Sequence, residues 1–217
     1  MPDTPSPRRR MREWYSRGYL PHRDRPRSAQ FLTFRLNDSA PVRLLRAYAR
    51  VVEAAKSAGE RERAEARVFS HLEQFLAKGR GSCRLGDNRA ARIVEDSLLF
   101  RDGTDYDLIA WVVMPNHVHA VVRPGLKTPL EVTVRKWKSW TAHEIHRTFG
   151  SSGRFWQPEV FDRWLRSVVE LEHAIRYVEM NPVLAGLCNS PLEWRFSSAR
   201  RRPERWAEDS RGEMVPD

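Results

Sequence analysis

Cysteine is scarce. The 217 residues hold only Cys83 and Cys188, more than a hundred positions apart, which excludes a paired zinc motif and a disulfide framework. Long apolar runs are missing too. The longest, Leu108 to Met114, has the length of a strand, well short of the ~18 to 20 residues a membrane span needs. The Arg-rich beginning lacks the apolar segment of a secretion signal. Acidic residues are outnumbered: 28 Asp plus Glu stand against 38 Lys plus Arg, for a formal charge of +10 and a pI near 10.3. Such a surface attracts phosphates and releases their counterions on binding. An anionic membrane surface fits the charge as well, but with no spanning or anchoring segment nucleic acid is the better partner. The expectation is a cytoplasmic, nucleoid-associated protein with no membrane association and no small-molecule substrate.

What is present suits one domain. Hydrophobic residues make up 41% of the chain and aromatic residues 10%, enough for a single packed core at this length. Residues 1–27 carry three prolines among the first seven positions, then eight arginines against three acids, and read as a flexible basic arm. Residues 28–200 read as the domain, and 201–217 as a charged tail. The chain after Phe196 is poor in apolar residues and is expected to fray.

Inside the domain, Phe31–Leu36 is rich in aromatic and β-favouring residues and reads as the first strand. A helical insertion over 39–102 follows. Val42, Leu45, Ala49 and Val52 recur at helical spacing, and Gly59 is expected to break that run. A second helix carries Val68, Leu72, Phe75 and Leu76. A third, capped by Asp87, carries Ile93, Val94, Leu98 and Leu99. Tyr106–Met114 is almost continuously apolar, as for a central strand covered on both faces. Pro115-Asn116 turns the chain, and His117–Arg123 returns. A basic helix spans 128–149, a short strand is expected at 161–164, and a last helix runs from about Val168 to Met180. The fold class is α+β: an antiparallel sheet with helices mainly on one face.

His117 and His119 are the first residues that call for a chemical explanation. Alternation along a strand projects both imidazoles to one side while Val118 points to the other, so the pair can chelate a cation. Tyr177 and Asn181 lie four apart and share one face of the last helix. The residue before Pro182 is disfavoured in α geometry, so that helix is expected to end near Asn181. Two imidazoles, an amide and a phenol make a coherent phosphoryl-transfer set. The metal polarises a phosphate, and the tyrosine attacks phosphorus. Imidazole ligands by themselves suit zinc as readily as magnesium or manganese. On the basic helix, Arg135, Lys136, Lys138 and Arg147, with Trp137 and Trp140, are candidates for gripping phosphates and stacking on unpaired bases. Phe155 and Trp156 are equal candidates, and packing in the core is the competing role for all four aromatic residues.

The stretches Trp111-Val-Val-Met-Pro-Asn-His-Val-His119 and Tyr177-Val-Glu-Met-Asn-Pro-Val183-Leu-Ala-Gly-Leu187 resemble the REP-associated tyrosine transposases, a branch of the single-tyrosine HUH transposases. Phe155-Trp-Gln157, Phe161-Asp-Arg163 and Trp194-Arg-Phe-Ser-Ser198 support the resemblance, which covers roughly residues 15 to 200. It implies a ferredoxin-like, RRM-like sheet with the histidines on a central strand. It also implies His117, His119 and Asn181 as metal ligands, with Asn181 standing where mobile-element relatives commonly carry Gln. Tyr177 is implied as the nucleophile, with magnesium or manganese as the metal. The implied substrate is single-stranded DNA folded into an imperfect hairpin, cut to leave a 5′-phosphotyrosine and a free 3′-hydroxyl. Relatives include monomers and homodimers. Pro158, Val160 and Trp164 depart from the pattern, and none of them is one of the four catalytic positions. The competing expectation is a non-catalytic regulatory module that grips structured DNA or RNA on the same fold. A zinc hydrolase is disfavoured because no third His, Cys or carboxylate stands at obvious ligand spacing.

Overall fold

The computed structural model describes residues 28–207, together with the backbone of a short antiparallel pair, β1 (Tyr15–Ser16) and β2 (Pro21–His22). The rest of the expected basic arm, and the tail from residue 208 onward, lie outside the described residues.

The sheet is built from β3 (Gln30–Arg35), β4 (Tyr106–Val113), β5 (His117–Pro124) and β6 (Phe161–Trp164), in the order β4-β5-β3-β6 and antiparallel throughout. Helix α3 (Asn88–Leu99) precedes β4, and α4 (Leu130–Phe149) joins β5 to β6. The chain therefore runs β-α-β-β-α-β with its first and third strands in the middle, the ferredoxin-like arrangement. Within the sheet, one point differs from the sequence expectation. The strand β4 is almost continuously apolar, Asp107 excepted, yet sits at the sheet edge, and β5 and β3 are the central strands. Its outer side is covered all the same, because Val112 bridges to Ser197 and the Val113 amide donates to the Phe196 carbonyl. Covered faces and a covered edge produce the same apolar run as a central position.

Helices occupy both faces rather than mainly one. On one side, Leu32, Phe34, Val118, Ala120 and Val122 pack against α3 and α4 through Ala90, Val94, Leu98, Val134, Trp137 and Ile145. On the other, Phe31, Val112, Met114 and Val121 meet Ala174, Ile175 and Val178 of α5 (Val168–Leu184). Phe69 of α2 (Ala58–Leu76) joins that second layer. The insertion thus supplies a helix to the face that the β-α-β-β-α-β unit leaves open.

Helix α1 (Val42–Glu53) buries Leu45, Ala49 and Val52, while α2 buries Ala64, Val68, Leu72 and Leu76 at four-residue spacing. The break between them falls ahead of Gly59, which lies in the first turn of α2. Ser57 caps that turn by accepting from the Glu60 amide at 3.2 Å, and the Glu60 carboxylate accepts from the Lys56 amide at 2.8 Å. Such a reciprocal cap outweighs the cost of one glycine, about 1 kcal/mol. Helix α5 likewise runs past its expected end. Pro182 lies inside it, and the last turn is carried by Ala185 N–H to Asn181 O and Leu187 N–H to Pro182 O, both at 2.9 Å. A proline so near the helix end leaves few bonds to break. Asn181 consequently stays helical, one full turn beyond Tyr177.

The segment after Phe196 does not fray within the described residues. Ser198–Arg201 forms a 3-10 turn, Glu204–Ala207 forms the short helix α6, and Trp206 is buried. The anchor is Glu179 of α5, which accepts hydrogen bonds from Ser198, Arg202 and Trp206.

Candidate functional site

Register sets the site. In the β3–β5 ladder Thr33 faces His119 and Arg35 faces His117, so all four side chains share the face covered by α5 and α2. Both histidines are buried. Asn116 fixes the first: its amide nitrogen donates to the Leu76 and Arg80 carbonyls, each at 3.1 Å, so its oxygen must face His117 Nδ1 at 2.7 Å. His117 Nδ1 is therefore the protonated nitrogen, and its Nε2 carries the lone pair. Thr33 Oγ1 holds His119 Nδ1 at 2.9 Å. The two Nε2 atoms then point at each other across 3.0 Å. Burial, and next the neighbouring His119, hold His117 down to about 3.

Tyr177 arrives from α5. Its ring lies among Phe31, Phe69 and His119, with centroids 5.6 to 6.0 Å away. Asn181, on the same helix face, lines the same pocket as His117 and Tyr177. The structure thus brings together all four residues expected from the sequence, in and around a pocket of about 310 Å³ that opens beside Phe69, Ser70, Gln74 and Leu184.

A fifth residue completes the cluster, and sequence reasoning missed it. Glu73 of α2 accepts a hydrogen bond from the Tyr177 hydroxyl at 2.6 Å, and the same oxygen, Oε2, lies 3.0 Å from His119 Nε2. Burial raises its carboxyl, but His119, His117 and Tyr177 outweigh that and bring it down to about 2. For Tyr177, burial and then the charge and hydrogen bond of Glu73 push the hydroxyl well above the usual phenol range. Nothing in the local pattern of α2 marks Glu73, since its partners lie 44 to 104 positions away. Arg35 is the second omission. Its fully buried guanidinium donates from Nε to Gln157 Oε1 at 2.8 Å, and burial lowers it to about 10. A charged residue at the end of a strand whose other side chains are apolar or neutral is the signal that marks it.

The donor set suits a divalent cation. One donor atom from each of Glu73, His117 and His119 lies within 4.8 Å of the others. The 3.0 Å separations between Nε2 atoms and between Nε2 and Oε2 match the ~3 Å spacing of adjacent donors around an ion held at ~2.1 Å. Glu73 Oε1 is buried with no hydrogen-bond partner among the described residues.

The basic helix is a different matter. It lies on the opposite face of the sheet from this pocket. Trp137 is core: it stacks on Phe34 and donates to the Tyr106 hydroxyl at 3.0 Å. Trp156 is core as well, donating to Thr141 Oγ1 at 2.9 Å. Neither is free to stack on a base, and their expected role in DNA contact is corrected accordingly. Lys138 is tied to the Gln157 and Pro158 carbonyls, and Arg147 is paired with Glu144 at 2.7 Å. Phe155 packs edge-on against Trp156 and His146. Of the expected set, Trp140, Arg135, Lys136 and Arg147 are exposed, Arg147 while paired with Glu144.

Comparison with known proteins supplies the context. Residues 89–181 match the family model described as "Transposase IS200 like", a span that contains His117, His119, Tyr177 and Asn181. A REP-associated tyrosine transposase of Escherichia coli (strain K12) is 27% identical over 123 residues, covering 51% of this chain and 70% of the relative. Among solved structures, the REP-associated tyrosine transposase bound to a REP hairpin superposes with a TM-score of 0.54 at 19% identity. That match covers 94% of this chain and 98% of the other, and it establishes likeness of fold. From residue 89 to 181 the chain thus matches the IS200-like transposase family, and it is similar to the REP-associated tyrosine transposases that its motifs resemble.

Proposed function

We propose that the protein cleaves and rejoins single-stranded DNA folded into a hairpin, with Tyr177 as nucleophile and a site formed by His117, His119 and Asn181 holding Mg2+ or Mn2+. The observation that carries this reading is the convergence of the tyrosine hydroxyl with two buried imidazoles whose Nε2 atoms are turned inward. Tyr177 Oη attacks the scissile phosphorus, a P–Oη bond forms, and the P–O3′ bond breaks. The electron pair leaves on the 3′-oxygen, which takes up a proton in place of the one the phenol gives up. In the reverse sense, the 3′-hydroxyl of another strand attacks the 5′-phosphotyrosine and restores the tyrosine, so the phosphodiester energy is conserved. A divalent cation at the histidines supplies Lewis-acid polarisation of the phosphate.

The chain's own residues set up that chemistry. Asn116 and Thr33 orient the imidazoles, and α5 places Tyr177 and Asn181 on one face. The aromatic rings around Tyr177 hold its ring beside His119, with its hydroxyl on the Glu73 carboxylate that His119 also meets. A purely binding module on the same fold has no need for this arrangement, which favours the enzymatic reading.

The test uses labelled single-stranded hairpins from the DNA flanking the gene, with Mg2+ or Mn2+. Wild type, Tyr177→Phe and His119→Ala are compared on a denaturing gel. A metal-dependent covalent adduct in wild type, absent from both variants, is the expected result. Tight hairpin binding without any adduct, across several hairpins and both metals, overturns the enzymatic reading in favour of the binding module.

A further inference from the structure

We propose that Glu73 is a ligand of the divalent cation, contributed by the helical insertion, and that its Oε2 holds Tyr177 until the cation takes that oxygen. The proposal rests on the metal site of the preceding reading and deepens it. It gives the insertion a part in the chemistry.

The argument starts from where α2 lies. Its main buried stripe, Ala64, Val68, Leu72 and Leu76, packs largely within the insertion. A neighbouring stripe one turn apart, Phe69 and Glu73, faces the sheet. Phe69 fills an aromatic slot, 4.8 Å from Phe161 and 5.3 Å from Phe31. An apolar side chain in the next turn would extend that contact. A carboxylate stands there instead, with its side chain 11% exposed, and burying such a group is costly unless it is fully satisfied. Glu73 is satisfied on one oxygen only: Oε2 meets Tyr177 and His119, while Oε1 has no partner among the described residues. Strapping α2 to the sheet does not need this arrangement, because Asn116 already binds the end of α2 at the Leu76 carbonyl.

Charge points the same way. Two neutral imidazoles and an amide bring no negative charge to a cation. Magnesium and manganese favour anionic oxygen donors, whereas an all-nitrogen pair suits zinc or copper better. One carboxylate in the cluster moves the preference toward the harder ions. The oxygen that faces the imidazoles is also the acceptor for the Tyr177 hydroxyl at 2.6 Å. Ligation through Oε2 draws away that acceptor, so metal capture and release of the nucleophile become one event.

The test reads metal binding and the state of the tyrosine, separately from cleavage. Full-length wild type, Glu73→Gln, Glu73→Asp and His119→Ala are titrated with Mn2+ by calorimetry. Tyr177 is followed by NMR of ring-labelled tyrosine on adding Mg2+, with its resonance assigned from Tyr177→Phe. Glu73→Gln keeps the volume and an acceptor for Tyr177, so it preserves packing; Glu73→Asp keeps the charge but withdraws it by one methylene. Expected are a loss of Mn2+ affinity on the order of tenfold to a hundredfold in Glu73→Gln and a smaller loss in Glu73→Asp. The Tyr177 resonance shifts with Mg2+ in wild type and stays put in Glu73→Gln. Mn2+ affinity within twofold of wild type in both Glu73 variants, while His119→Ala loses binding, overturns the ligand role and leaves the functional reading standing. A wild-type protein that forms the DNA adduct yet binds no Mn2+ overturns both the ligand role and metal assistance, while strand cleavage itself stands.

Discussion

Replacing Glu179 with glutamine tests how α5 is held, and with it the placement of Tyr177 two residues earlier. The Glu179 carboxylate is fully buried and accepts from Ser198 Oγ at 2.7 Å, from Arg202 Nη2 at 2.9 Å and from Trp206 Nε1 at 2.9 Å. All three donors belong to the segment that folds back along α5 and the edge of β4. Glutamine keeps the volume but offers one acceptor oxygen. If that oxygen serves Ser198 and Arg202, the new amide N–H faces the indole N–H of Trp206 and a buried donor is left without an acceptor. Such a group costs about 1 to 3 kcal/mol, and the lost charge on the Arg202 bond adds about 1 kcal/mol or more. Arg202 keeps 29% of its side chain exposed and can recover part of that from solvent. The expected destabilisation is about 3 kcal/mol.

Urea unfolding reads it. With a slope of about 2 kcal/mol per M, the midpoint falls by about 1.5 M. Adding Trp206→Phe removes the stranded donor, so the double variant should recover at least about 1 kcal/mol relative to additivity. A midpoint shift below about 0.3 M in Glu179→Gln, or strict additivity with Trp206→Phe, refutes the claim that this carboxylate pins the segment. The functional counterpart is a lower yield of the tyrosine adduct at temperatures where the variant is still folded.

Three further outcomes follow from the same geometry. Asn116→Ala strands His117 Nδ1–H and frees the end of α2, so Mn2+ affinity measured by calorimetry should fall about tenfold to a hundredfold. Trp137→Ala removes a core ring bonded to Tyr106 and should cost about 3 to 5 kcal/mol in urea; Trp140→Ala, 48% exposed, should change stability by less than about 0.5 kcal/mol. Burial pushes the Tyr106 hydroxyl up to about 12, against opposing bonds from Trp137 and the backbone. The folded state therefore holds a proton that the unfolded chain releases from about pH 10. Its stabilising contribution is complete below pH 10 and disappears as pH rises through 12. Absorbance at 295 nm should show Tyr106 and Tyr177 titrating late, and Tyr106→Phe should remove the Tyr106 contribution while leaving that of Tyr177.

The parts of this molecule legible in its sequence are those whose cause is local. Alternation along His117-Val118-His119 places both imidazoles on one face, and the four-residue interval from Tyr177 to Asn181 places phenol and amide on one helix side. The apolar run of β4 is local too, yet it reports only that the strand is covered; whether by neighbours in the sheet or by Ser197 and Phe196 is decided elsewhere in the chain. The same distinction governs the tail. A charged stretch with few apolar residues is expected to fray, but one tryptophan and one arginine find a buried carboxylate on α5, and no windowed property of residues 198–207 carries that information.

Glu73 is the sharpest case. On its own helix it is one of several glutamates on a strongly charged segment, and helical periodicity assigns it to the margin of the buried stripe. Its meaning appears only when Phe69, one turn earlier, docks on Phe31 and Phe161 and so fixes the rotation of α2 over the sheet. At that rotation the next residue on the same side has to enter the histidine pocket, whatever its chemistry. A hydrophobic residue there would seal the pocket. A carboxylate instead brings a negative charge that the imidazoles of His117 and His119 and the amide of Asn181 do not carry, so the rotation of α2 bears directly on the chemistry of the pocket.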